Sequence, residues 1–120
     1  MALLWNLYLV IGATLNLSSL MSRVAGGRYH SLPMALRFAY SIQSLIVIFE
    51  IFFIIALYKH VGAWSKNSFL LSRIFLILSI LSAFVNFVSR SSDERWNTIS
   101  AAMAAYGFFS LAEMRFRPRR

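Results

Sequence analysis

Within SIQSLIVIFEIFFIIALY, residues 41 to 58, the single carboxyl group belongs to Glu50, and no other side chain in the chain sits in so unfavourable a setting for its type. An acid at bilayer depth costs about 2.5–3.5 kcal/mol on insertion scales, so it must face a partner, a cavity or water. Glu50 lies eight residues from the loop end of its apolar run, about 12 Å deep at about 1.5 Å per residue. Arg73, four residues past Phe69 in the next run, lies about 6–7 Å deep by the same measure. A short loop joins the two runs, so an inward-reaching guanidinium would meet the carboxyl group and make Glu50 half of a structural clamp. If Arg73 instead snorkels outward, Glu50 becomes an acid able to exchange a proton, with the amides of Gln43 and Asn86 available to bond its neutral form.

Other chemistry is scarce. The chain has no Cys, which excludes thiolate metal sites, disulfides and cysteine nucleophiles. His30 and His60 fall in successive connections, on opposite membrane faces, so one chain cannot bring them to a common ion; no metal site and no cofactor is expected. No nucleophile, base and orienting group share a spacing that would support catalysis, and no Gly-rich phosphate loop precedes a helix; a non-enzymatic protein is expected. The net charge of +8 is not a nucleic-acid signal, because the Lys and Arg residues flank apolar runs, where they meet phospholipid headgroups.

The elements that must position Glu50 follow from hydropathy. With 59% hydrophobic and 13% charged residues, the 120-residue chain reads as an integral membrane protein. Four apolar runs approach the roughly 20 residues needed to cross, and predict helices over about 3–21, 38–58, 69–88 and 92–114. The first lacks a basic leader and is read as a helix of the mature chain. The fourth is Ala-rich, but Ser91 with Glu94 fits a capping box, Asp93 and Glu94 suit a first turn, and Pro118 provides a stop. Short connections make consecutive helices antiparallel neighbours. The expected fold is therefore all-α: a polytopic membrane protein built as an antiparallel bundle of four transmembrane helices in a single domain, 1–120. Lys59, Lys66, Arg115, Arg117, Arg119 and Arg120 fall on the side of the termini, against Arg23, Arg28, Arg37, Arg90 and Arg95 on the other, which sets both termini in the cytoplasm by a bias of six to five.

Helices in lipid associate through small residues and interhelical polar groups. Each run carries such a stripe: Gly12, Ala13, Asn16 and Ser19 in the first; Tyr40, Gln43, Val47 and Glu50 in the second; Ser72, Ser79, Ser82 and Asn86 in the third; Ser100, Ala104 and Gly107 in the fourth. Trp64 and Trp96 suit the interfacial belt, Arg28 and Arg37 around Pro33 suit a headgroup anchor, and the basic tail Arg115, Arg117, Arg119, Arg120 suits anionic lipid or a partner.

The blocks NFVSRSSDERWNTISAAMAAYGF and HSLPMALRFAYS resemble segments of small four-helix bacterial membrane proteins of unassigned activity, a resemblance that implies a bacterial inner-membrane location. In size the chain is similar to the small multidrug transporters, but those keep their membrane acid in the first helix, where this chain has none. Two roles follow as expectations. The leading one is a non-enzymatic accessory or assembly subunit of a larger membrane complex, with other membrane subunits as partners beside the lipid itself. The other is a self-associating proton-coupled transporter or channel that uses Glu50.

Overall fold

The computed structural model describes residues 1–59 and 66–113, and among these the fold is all-α with no strand. Five α-helices occur in the order α1 (Ala2–Thr14), α2 (Met34–Lys59), α3 (Lys66–Phe87), α4 (Ser92–Arg95) and α5 (Asn97–Glu113), with short 3-10 turns at Ser18–Arg23 and Ala25–Gly27 between α1 and α2. α2 and the Ser68–Phe87 stretch of α3 are long and apolar enough to cross a membrane, about 39 Å and 30 Å by helical rise. Only 22% and 17% of their most apolar windows are buried, so each presents mainly hydrocarbon outward, unlike the core helix of a soluble domain.

The first helix is shorter than the sequence suggests. It stops at Thr14 rather than running to Met21, and covers about 20 Å. Asn16 explains the stop. It takes the left-handed conformation (φ 58°), while Asn16 N–H bonds Ala13 O (3.1 Å) and Leu17 N–H bonds Gly12 O (2.9 Å); this is the Schellman pattern, in which Asn is one of the few non-Gly residues that fit. Its side chain then accepts from Leu32 N–H at 2.7 Å, so Asn16 ends a helix and ties down a loop rather than lining a helix interface as its position in the stripe implied. Arg37, expected among headgroups, donates from Nε to the orphan Thr14 carbonyl at 2.9 Å. Arg28 is exposed, and so is Trp96, which stands between α4 and α5.

α2 begins directly after Pro33, which has no N–H to leave unpaired there. The packing order is α2–α1–α5–α3: α1 lies against both α2 and α5, and α5 lies most extensively on α3. α2 and α3, though consecutive, are not close neighbours along their length. They meet chiefly through Phe49 and Phe53 of α2 against Phe75 of α3, at ring-centroid distances of 5.9 and 5.4 Å.

The small-residue stripes are only partly the contact faces. Ser72 is fully buried, its hydroxyl turned back to Ser68 O (2.9 Å), and Ser79 and Ala104 are buried. On α5 the buried line is Asn97, Ala101, Ala104, Phe108 and Ala112. Gly107 is not on it: it is exposed, and a Cβ there would meet nothing within 4 Å. Gly12 has the opposite surroundings, since a Cβ there would lie 2.1 Å from Leu20 Cδ1. Gly12 thus admits the returning chain, not a second helix. Gly107→Ala should stabilise the protein by about 0.5–1 kcal/mol through helix propensity alone. Gly12→Val should cost about 1–3 kcal/mol by overpacking Leu20. Thermal midpoints in detergent read both, and equal signs would contradict these surroundings.

Candidate functional site

At the end of the molecule formed by connections 15–33 and 88–96, the polar groups are bonded to one another. Glu94, 7% exposed, accepts from Gly26 N–H at 2.7 Å and from the Ser89 hydroxyl. Ser91 accepts from Glu94 N–H at 3.3 Å, as a capping residue should, and its hydroxyl also reaches Ser22 O. The reciprocal arm of the capping box is absent because the Glu94 side chain has been drawn away to the glycine turn. Asn97 Nδ2 donates to Arg23 O (3.0 Å), and Tyr40 OH accepts from Ala25 N–H (3.0 Å). The turn itself needs φ of 51°, 71° and 65° at Ala25, Gly26 and Gly27, which accounts for the Gly pair. Nearby, Ser100 Oγ lies 2.6 Å from Asn6 Oδ1, a bond between α5 and α1. Sequence reasoning placed Glu94 in a cap and overlooked Asn6 and Asn97; the asparagines bond partners more than 70 residues away, and nothing local announces them.

Between α2 and α3 lies a cleft of about 370 Å³, floored by α1 and α5. Tyr40, Gln43 and Glu50 line one wall, and Ser79, Ser82 and Asn86 the other. Of the membrane-depth polar residues singled out from sequence, Glu50, Gln43 and Asn86 therefore converge. Asn16 and Arg73 do not join them. Arg73 is exposed, with its guanidinium 4.2 Å from the Phe69 ring centroid, so the Glu50–Arg73 clamp is not formed. Snorkelling beside an aromatic face suits a cation on a helix with few polar neighbours.

Glu50 is 4% exposed, yet among the described residues its carboxyl group has no hydrogen bond or ion pair, and the side chains of Gln43, Ser79, Ser82 and Asn86 have none either. Buried polar groups in folded proteins are nearly always paired. Two buried groups, Glu50 and Ser79, and three half-buried ones, Gln43, Ser82 and Asn86, converge unpaired on one space and leave room there for an occupant. The volume far exceeds the about 15 Å³ that one water requires. Such a site can hold water, a hydrated proton or a small polar ligand against an acid.

His60, Trp64, Arg115, Arg117, Arg119 and Arg120 lie outside the described residues. His30 is exposed in the first connection and does not line the cleft. No protein-family model matches the chain, and no curated protein or solved structure compared with it does so either.

Proposed function

We propose that this chain is a non-enzymatic integral membrane protein of four antiparallel membrane-crossing segments, with both termini cytoplasmic, and that it works as a homo-oligomeric proton-coupled transporter or channel with Glu50 as the proton-binding residue. The observation that carries the proposal is the unpaired Glu50 carboxyl group in a cleft where Gln43, Ser79, Ser82 and Asn86 also lack hydrogen bonds. An acid placed so in hydrocarbon marks a substrate or proton path far more readily than a packing contact. Four crossings fit the lengths if α4 and α5 act together, about 32 Å from Ser92 to Glu113. α1 falls short, and the 3-10 turns that follow it would complete its depth. Irregular backbone is tolerated there when enclosed by protein, and Leu20, Met21, Val24 and Leu32 are buried.

In liposomes with an imposed pH gradient and a trapped pH-sensitive dye, the wild-type chain should carry protons and Glu50→Gln should lower the rate at least tenfold. Flux that persists in Glu50→Gln sinks the assignment of Glu50.

One observation favours the accessory-subunit reading. α2 and α3 part along the cleft, and its rims Ile46, Leu78, Leu81 and Val85 are exposed, a gap that a partner's helix could close. Purification in mild detergent with a defined larger partner, together with absent flux, would favour that role over transport.

A further inference from the structure

The cleft is not symmetric about Glu50. Toward the end formed by connections 15–33 and 88–96, polar side chains recur among the apolar ones that line the cleft. On α2 they descend from Tyr40 through Gln43 to Glu50, and on α3 from Asn86 through Ser82 to Ser79, each about one to two turns below the last. The same cleft reaches Arg23 and Glu94 at that end. In the other direction the next layer is aromatic. Phe53, Phe75 and Phe108 form one buried cluster, with Phe75 at centroid distances of 5.4 Å from Phe53 and 5.2 Å from Phe108. Leu57 and Leu71 pack behind it.

From this asymmetry we infer that Glu50 is loaded from one membrane face only, through a hydrated half-channel that opens at the 15–33 and 88–96 connections, and that the Phe53–Phe75–Phe108 cluster is the closed gate toward the face of the termini. The inference rests on the proposal that Glu50 binds a proton. The other ionisable groups lining the cleft are Arg23, Tyr40 and Glu94, all at its mouth. The Glu94 carboxyl group is engaged by Gly26 and Ser89, the Tyr40 oxygen accepts from Ala25, and Arg23 stands 6.0 Å over the Trp5 ring, so Glu50 is the acid left open to the incoming proton. Laterally the cleft is bordered by the apolar rims, which acyl chains or a second copy would cover, leaving the polar ladder as the route for water.

The chain has no Cys, so single-cysteine variants report cleanly. Gln43→Cys and Asn86→Cys, in vesicles of both orientations, should react with a membrane-impermeant cationic methanethiosulfonate at least tenfold faster from the face of the 15–33 connection than from the other. Leu57→Cys and Leu71→Cys should not react from that face. Phe75→Ala, or Phe75→Leu should the smaller residue prevent folding, should make Gln43→Cys reactive from both faces. Reaction of Gln43→Cys and Asn86→Cys from the face of the termini, or from neither face, overturns the inference. Labelling requires no proton flux, so the two failures separate: the wrong sidedness with flux lost in Glu50→Gln removes only the gate, whereas the right sidedness with flux intact in Glu50→Gln removes only the proton site.

Discussion

Glu94→Ala should destabilise the folded protein by about 2–4 kcal/mol, because it leaves two half-buried donors without their acceptor, each costing somewhat less than the about 1–3 kcal/mol of a fully buried one. The carboxyl group is 7% exposed and holds Gly26 N–H at 2.7 Å together with the Ser89 hydroxyl. Neither donor has another acceptor in place, and the left-handed turn at 25–27 leaves the backbone little freedom to find one. Reversible unfolding in mixed micelles measures the loss. Glu94→Gln, which keeps an acceptor oxygen, should lose less. Ser91→Ala, which removes a cap, should cost about 1 kcal/mol. A smaller loss for Glu94→Ala than for Ser91→Ala would show that the carboxyl group is not the hub of this end.

Glu50→Leu should act with the opposite sign and raise stability by about 2 kcal/mol or more, since Leu is favourable and an acid unfavourable at membrane depth. The same substitution should abolish proton flux. This pairing of gained stability with lost activity is what a functional group held at a structural cost produces. A drop in stability in the same micelle assay would mean that Glu50 has a partner within the fold, and the cleft would lose its meaning. The two acids thus separate by experiment: on the proposed reading, Glu94 serves the architecture and Glu50 the site.

Sequence disclosed the long apolar helices and the polar stripe of α2, because a lone acid among aliphatic residues stands out and Tyr40, Gln43, Val47 and Glu50 repeat at helical spacing. It did not disclose which face of α5 turns inward. Ala101, Ala102, Ala104, Ala105 and Gly107 spread small residues over more than half of the helix circumference, so the choice falls to Phe108, 1% exposed, which seats its ring against Phe75. The early end of α1 was hidden because Leu15, Leu17 and Leu20 keep the hydropathy high after Asn16 has turned the chain. Arg73 misled for a different reason: depth along a helix says nothing about rotation around it, and although α2 and α3 meet nearby at Phe49, Phe53 and Phe75, Arg73 is exposed with its guanidinium over Phe69.

The bond from Gly26 to Glu94 spans 68 residues, and its consequence lies in biogenesis. While a ribosome is still delivering α2 and α3, the glycine turn has no acid to receive its amide, and α1 lacks the α5 surface that later shelters it. The amino-terminal quarter must wait, half-assembled, for the last helix to arrive. A chain interrupted before Glu94 would leave that quarter without its clasp and offer it to quality-control proteases.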